Sequence, residues 1–251
     1  MMDLDALLSR IPHETTRSLL EVAKLRTPGL EGELLARLNG RAGAEMIIEG
    51  SFPWKPAEGG WDAVEGLFHP RTIDTLRKTS FPPYAHQLEA WGHLRAEDPR
   101  SVIVSSGTGS GKTESFLAPL LDRLVDLSDG GARRLTGVRA IMLYPLNALI
   151  NSQEERLKAW FNPFEGNLRY CLYNGATPNE AKNHEARSNP AKVADRKTLR
   201  GTPPPVLVTN ITMLEYMLVR REDSPLLEQS RETLEYIILD EAHSYIGAQA
   251  A

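Results

Sequence analysis

The sequence predicts an α/β fold, a doubly wound and mainly parallel sheet, preceded by a mostly helical accessory region. Short apolar runs recur at 102–105 (VIVS), 139–144 (RAIMLY), 168–173 (LRYCLY), 206–209 (VLVT) and 236–239 (YIIL), with helix-like stretches between them. Runs of this length bounded by breakers suit strands buried on both faces, as in a parallel sheet covered by helices. In addition, the runs at 102–105 and 236–239 lead directly into GTGSGKT and DEAH, polar motifs at the strand ends where such sheets hold their ligands.

Ahead of the sheet, residues 3–39 read as short helices. Leu4, Leu7, Leu8 and Ile11, then Leu19, Leu20 and Ala23, then Leu30, Leu34, Leu35 and Leu38 recur at three or four, with stops at Pro28-Gly29 and Asn39-Gly40. Residues 50–83 are rich in Gly, Pro and Trp and read as an irregular segment laid over another surface. Residues 1–80 are therefore expected to form an accessory region and 81–251 the main domain. Trp54 and Trp61 could stack nucleobases or simply pack the accessory segment. Between two of the runs, 176–205 carries Lys182, Arg187, Lys192, Arg196, Lys197 and Arg200 against Glu180, Glu185 and Asp195. It reads either as a solvated insertion or as a contact for nucleic acid.

At 251 residues the chain can bury a real core, and 41% hydrophobic with 25% charged residues is the composition of a globular protein. No apolar run approaches the roughly 20 residues a membrane-spanning helix needs, so the expected location is the cytoplasm, with no membrane partner. The single cysteine, Cys171, reads as a core residue of a strand. A net charge of −4 leaves nucleic acid to a local track rather than to a global field.

The stretch SSGTGSGKTE (105–114) follows the first apolar run and opens a helix-like sequence, ESFLAPLLDRLVDL. Backbone N–H groups must turn inward to hold an anion, which Gly107, Gly109 and Gly111 permit, and a helix N-terminus adds favourable dipole charge. In such a P-loop Lys112 reaches the β- and γ-phosphates and the Thr113 hydroxyl ligates Mg²⁺. Ser106 stands where the strict pattern has glycine. Downstream, YIILDEAHSYIG (236–247) delivers Asp240 and Glu241 to a strand end. Asp240 suits the Mg²⁺ shell, and Glu241 suits the base that orients and deprotonates the attacking water.

GTGSGKT together with DEAH resembles the superfamily 2 helicases of the DExH/DEAH-box branch. FPPYAHQLEAW (81–91), YPLNALINSQEERL (144–157), LYNGAT (172–177) and VLVTNITMLEYML (206–218) are similar to further motifs of that family, in its order, with Asn210 where T-P-x-x-L has proline. The wording of YPLNAL and LDEAHSY resembles bacterial DNA helicases with a C-terminal zinc-binding region, among them repair helicases and the anti-phage helicases of DISARM and Druantia systems. The resemblance implies a first RecA-like domain that binds ATP and Mg²⁺. Its nucleotide set is Tyr84, Gln87, Ser106, Gly107, Thr108, Gly109, Ser110, Gly111, Lys112, Thr113 and Glu114, with Gln87 reading the adenine edge. Thr113 and Asp240 hold the metal, and Lys112, Asp240, Glu241 and His243 form the catalytic set.

The resemblance also implies that the loops between these motifs meet the sugar-phosphate backbone of one nucleic-acid strand, DNA in preference to RNA, through Pro145, Asn147, Gln153, Gly175, Thr209, Asn210 and Met213. Asn147 as a helix cap and Met213 as core are the structural alternatives, and Arg156 reads as a solvated helix position. Movement from 3′ to 5′ is expected by the same resemblance. The partner that completes the site would be a second RecA-like domain with its arginine finger, expected beyond Ala251, so the 251 residues alone are expected to hydrolyse ATP barely. Other subunits of a defence or repair complex are further expected partners. A clamp or adaptor with little turnover, and an RNA helicase, are the alternative readings; an intact Glu241 favours the enzyme.

Overall fold

The computed structural model describes residues 33, 37, 54–107, 109–181 and 189–245. The chain divides into two compact units, 1–53 and 54–251, and the architecture below is that of the second. The helices expected over 3–39 lie outside the described residues, apart from Glu33 and Arg37, which are helical. Thr108, Lys182 and Arg187 also lie outside them.

Among the described residues five strands form the sheet: β1 (Ala140–Leu143), β2 (Tyr170–Leu172), β3 (Lys192–Val193), β4 (Val206–Thr209) and β5 (Tyr236–Leu239), in the order β3-β2-β4-β1-β5 with every pair parallel. Three helices precede the first strand: α1 (Pro70–Thr79), α2 (Ala85–Leu94) and α3 (Lys112–Leu127). Parallel neighbours cannot be joined by hairpins, and between the strands run α4 (Asn147–Ser152), α5 (Glu154–Phe161), α6 (Arg196–Gly201), α7 (Ile211–Val219) and α8 (Ser224–Ser230).

The two-residue period of the strands sorts their side chains into two cores. Ala140, Met142, Val206 and Val208 pack with Leu117, Leu120, Leu121 and Leu124 of α3 and with Leu157 and Phe161 of α5. Ile141, Leu143, Cys171 and Leu207 pack with Leu199 of α6, Met213 and Met217 of α7 and Leu226 of α8. Helix layers on both faces make the fold doubly wound, as its apolar runs predict. The spacing of the four α3 leucines places them on one stripe, and burial of each stabilises the layer by about 1.5–3 kcal/mol.

The run at 102–105 is a correction. It forms no strand, and Ile103 is 97% exposed. A strand needs a neighbour to satisfy its N–H and C=O groups, and among the described residues nothing pairs with this segment. On the other side of the sheet, β5 is an edge strand with Ile237 and Leu239 exposed.

The segment read as irregular, 50–83, holds α1 instead. Pro70 opens that helix, the His69 imidazole accepts from the Arg71 N–H at 3.1 Å, and Thr72, Ile73, Thr75 and Leu76 form its buried face. Val64, Phe68, Ile73 and Leu76 join the same core as α3, and Trp61 packs against it. Residues 54–80 are thus part of the second unit's core.

The stretch 176–205 is equally well built. It supplies β3 and α6, and Asp195 caps α6 by accepting from the Thr198 N–H at 2.7 Å. Its described cations are engaged: Lys192 with Glu154 at 2.5 Å, Lys197 with Glu180 at 2.8 Å and Arg200 with Asp223 at 2.7 Å. Arg196 donates to the Thr177 carbonyl at 2.8 Å and lies over the Tyr173 ring, 5.3 Å from its centroid. Cys171 is a buried strand residue, and burial pushes its thiol up to about 12.

Candidate nucleotide site and nucleic-acid face

The turn before α3 has the backbone an anion cradle needs. Gly109 and Gly111 adopt φ of 73° and 75°, the left-handed region open to glycine, and Gly111 is the residue that caps α3. Ser110 is buried, and its hydroxyl meets that of Ser106 at 2.6 Å, closing the turn on itself. Lys112 and Thr113 then occupy the first turn of the helix, where N–H groups without intrahelical partners point out of its end.

Gln87 braces this turn from α2. Its Nε2 donates to the Gly111 carbonyl at 2.9 Å and its Oε1 accepts from the Tyr84 N–H at 2.8 Å. The amide still has one hydrogen and one lone pair to offer, the pair an adenine edge requires. Tyr84 stacks on His86 with ring centroids 5.9 Å apart, and Trp54 meets His86 edge-on at 5.9 Å. A side chain at Gly107 would touch the Trp54 ring at 3.4 Å, so this aromatic group borders the cradle. Glu114 accepts from the Trp91 indole through its carbonyl at 3.0 Å, tying α3 to α2.

Opposite Lys112, β5 ends in the acidic pair. Asp240 follows Ile238 by two residues and shares its face, the α3 side of the sheet. Its carboxyl pKa is raised, chiefly by burial; the Glu241 N–H, donating to Asp240 Oδ1 at 3.0 Å, and the charges of Lys112 and Arg156 act in the opposite sense. Glu241 has a φ of 51°. A left-handed conformation costs a residue with a Cβ about 1–2 kcal/mol, and strain of this kind gathers at functional positions. The turn is held by Ser244, whose hydroxyl and N–H both donate to the Glu241 carbonyl at 2.7 and 2.8 Å. His243 lies 3.4 Å from the Glu241 carboxylate and is largely exposed.

The donor set fits a nucleoside triphosphate and a hard cation. The N-terminus of α3 with Lys112 suits phosphate, and the Thr113 hydroxyl and Asp240 carboxylate supply oxygen ligands. Among the described residues no group of three or more His, Cys, Asp or Glu could hold a metal unaided. A cation here would share its shell with phosphate oxygens and water, as Mg²⁺ commonly does.

The residues expected to meet nucleic acid separate into two groups. Asn210 and Asn147 are brought together, Asn210 Nδ2 donating to Asn147 Oδ1 at 2.7 Å, and Asn210 also caps α7 by accepting from the Met213 N–H at 2.8 Å. Asn147 and Gly175 are exposed, and Pro145 and Gln153 are partly so. Thr209 and Met213 are withdrawn. Thr209 is buried with its hydroxyl donating to the Tyr173 carbonyl at 2.7 Å, and Met213 packs in the α7 core. Strand-end and helix periodicity direct both side chains inward.

Three residues that the sequence did not assign to the site shape this region. Arg156 is not simply solvated: its Nε lies 3.4 Å from Glu114 and its Nη1 donates to Gln153 Oε1 at 3.1 Å, linking α5 to the cradle helix. Arg196 fixes the turn at Asn174–Thr177, where Asn174 Oδ1 accepts from the Ala176 N–H at 2.9 Å. Tyr144 sits buried at the end of β1. The contacts of Arg156 with Glu114 and of Arg196 with Thr177 join residues far apart in sequence, so no local pattern marks them.

Comparison with known proteins agrees with this geometry. The family model for the DEAD/DEAH box helicases matches residues 84–250. The chain is 28% identical over 261 residues to the Druantia protein DruE of Escherichia coli (strain UMEA 4076-1), covering 67% of this chain and 14% of DruE. It is 27% identical over 181 residues to the ATP-dependent helicase Lhr-Core of Methanothermobacter thermautotrophicus, covering 72% of this chain and 20% of that relative. The chain thus spans about a seventh to a fifth of the length of these relatives. In fold it is similar to the DUF1998 helicase MrfA solved with DNA and AMPPNP, with a TM-score of 0.52, 23% identity, and coverage of 71% of this chain and 22% of MrfA. The match over most of the chain, together with a five-stranded parallel sheet covered by helices on both faces, shows that the chain belongs to the DEAD/DEAH box helicase family.

Proposed function

We propose that this chain is the first motor domain of an ATP-dependent DNA helicase or translocase. The observation that carries the proposal is the facing of two strand and helix ends across the sheet: Lys112 and Thr113 open α3, Asp240 and Glu241 close β5, and the charge of Lys112 acts on Asp240. The chain's own residues divide the work. Lys112 and the backbone of the 107–111 turn bind the phosphates, Thr113 and Asp240 hold Mg²⁺, and Glu241 accepts the proton of the attacking water while orienting it in line. Mg²⁺, when bound, supplies charge neutralisation on the phosphates. His243, beside Glu241, is placed to steer that carboxylate.

One similarity supports DNA over RNA: MrfA was solved with DNA and AMPPNP. Asn147 and Asn210, joined by their hydrogen bond, form with Gly175, Pro145 and Gln153 a polar strand-end surface suited to phosphate and sugar rather than to base edges. A role in anti-phage defence or DNA repair, 3′ to 5′ movement, a cytoplasmic location and a second RecA-like domain as the completing partner belong to the same proposal. ATPase assays on the full-length protein with single-stranded DNA, duplex DNA, RNA or no nucleic acid test it. DNA-stimulated turnover is expected; stimulation by RNA alone would select the RNA reading, and unstimulated, negligible turnover the clamp.

A further inference from the structure

Tyr144, at the C-terminal end of β1, is 1% exposed and packs in the layer beneath α3. Its hydroxyl nevertheless has no hydrogen-bond partner among the described residues. A buried hydroxyl left unpaired forfeits its hydration, a cost that phenylalanine would avoid at the same volume. The sheet register fixes what lies beside it. Leu143 pairs with Leu239, and the Asp240 N–H donates to the Leu143 carbonyl at 3.0 Å, so Tyr144 and Asp240 are the next pair along these parallel strands. Residues in register on parallel neighbours stand on the same face.

Among the described residues a second buried hydroxyl without a partner belongs to Tyr245, in the helical turn that follows β5. The charge of Asp240 acts on both tyrosines: burial first and Asp240 second raise each hydroxyl's pKa, that of Tyr245 to about 12. Toward a carboxylate a tyrosine hydroxyl can only donate, and toward a water it can donate or accept. Arg156, whose charge also reaches Tyr144 and Asp240, borders the same spot.

We propose that Tyr144 and Tyr245 are positioning residues of the nucleotide site, their hydroxyls donating to water that Asp240 shares with the hydrated divalent cation of bound nucleotide. The role rests on the nucleotide-site reading of Asp240. It explains why two donors are kept unpaired: their partner arrives with the ligand. The hydroxyls touch neither the transferred phosphoryl group nor the attacking water, so they act through Asp240.

Binding of a fluorescent, non-hydrolysable ATP analogue to the full-length protein, titrated with Mg²⁺, tests the role without recourse to activity. For Tyr144→Phe the Mg²⁺ concentration at half-maximal binding is expected to rise about tenfold, the effect of one lost hydrogen bond to a charged site. Binding of the analogue in EDTA and the Tm without nucleotide should match wild type or, for the Tm, exceed it. Tyr245→Phe is expected to shift the same midpoint, which keeps the test decisive if either variant folds poorly. An unmoved Mg²⁺ midpoint with a lowered Tm would make the hydroxyls structural and overturn the role alone. Wild-type protein whose analogue binding ignores Mg²⁺ would overturn the nucleotide-site reading and the tyrosine role with it.

Discussion

Gly111 concentrates several demands in one position. It adopts a left-handed φ of 75°, caps α3, and leaves room for the Gln87 amide, which a Cβ would strike. Gly111→Ala is therefore expected to lower stability by about 1–2 kcal/mol from the backbone alone and to weaken ATP binding further as Gln87 is displaced; denaturant midpoints and nucleotide titration measure the two parts. Gln87→Ala should loosen the turn for every nucleotide, yet weaken adenine nucleotides more than guanine ones, because the remaining hydrogen and lone pair match adenine. Equal loss for both would leave Gln87 a brace alone. Lys112→Ala should abolish nucleotide binding at concentrations that saturate wild type, since no other described lysine stands at the cradle. The cradle and the acidic pair were legible because their chemistry is written in adjacent residues. The Gln87–Gly111 bond, the Arg156–Glu114 contact and the Tyr144–Asp240 pair were not, because each joins residues brought together only by the fold.

The strands at 140–143, 170–172 and 206–209, covered on both faces, follow the apolar runs to within a residue or two, and so does the edge strand at 236–239. The run at 102–105 shows the limit of that signal: apolar sequence makes a strand only when a neighbour takes up its backbone groups, and β5 presents an edge with none among the described residues. β3 escaped notice for the opposite reason, being two residues long and half polar. Thr209 and Met213 show the same dependence on packing, each being drawn into the core by its element's period. The core layers make their own predictions. Leu120→Ala in α3, fully buried under the sheet, should destabilise by about 2–5 kcal/mol in denaturant unfolding. Cys171 on β2, with its thiol pushed up to about 12 by burial, should resist a thiol reagent at pH 8 in the native protein and react on unfolding.

A net charge of −4 over the whole chain, with Lys192, Lys197 and Arg200 already paired with carboxylates, gives no broad positive field among the described residues of 176–205. The nucleic-acid contact proposed for the polar strand-end surface around Asn147 and Asn210 would rely on short hydrogen bonds rather than long-range attraction. Its link to the ATP site is physical: Gln153 bonds Arg156, Arg156 meets Glu114, and Glu114 adjoins Thr113. Because the chain spans about a seventh of DruE and a fifth of Lhr-Core, turnover is a property to be read in the full-length protein. Steady-state ATP hydrolysis by the wild type and by Glu241→Gln, each with and without single-stranded DNA and alongside ATP binding, bears most directly on the whole reading. DNA-stimulated hydrolysis is expected in the wild type, and intact ATP binding with no turnover in the variant. Hydrolysis by Glu241→Gln at the wild-type rate, or a wild-type rate indifferent to nucleic acid, would contradict that reading.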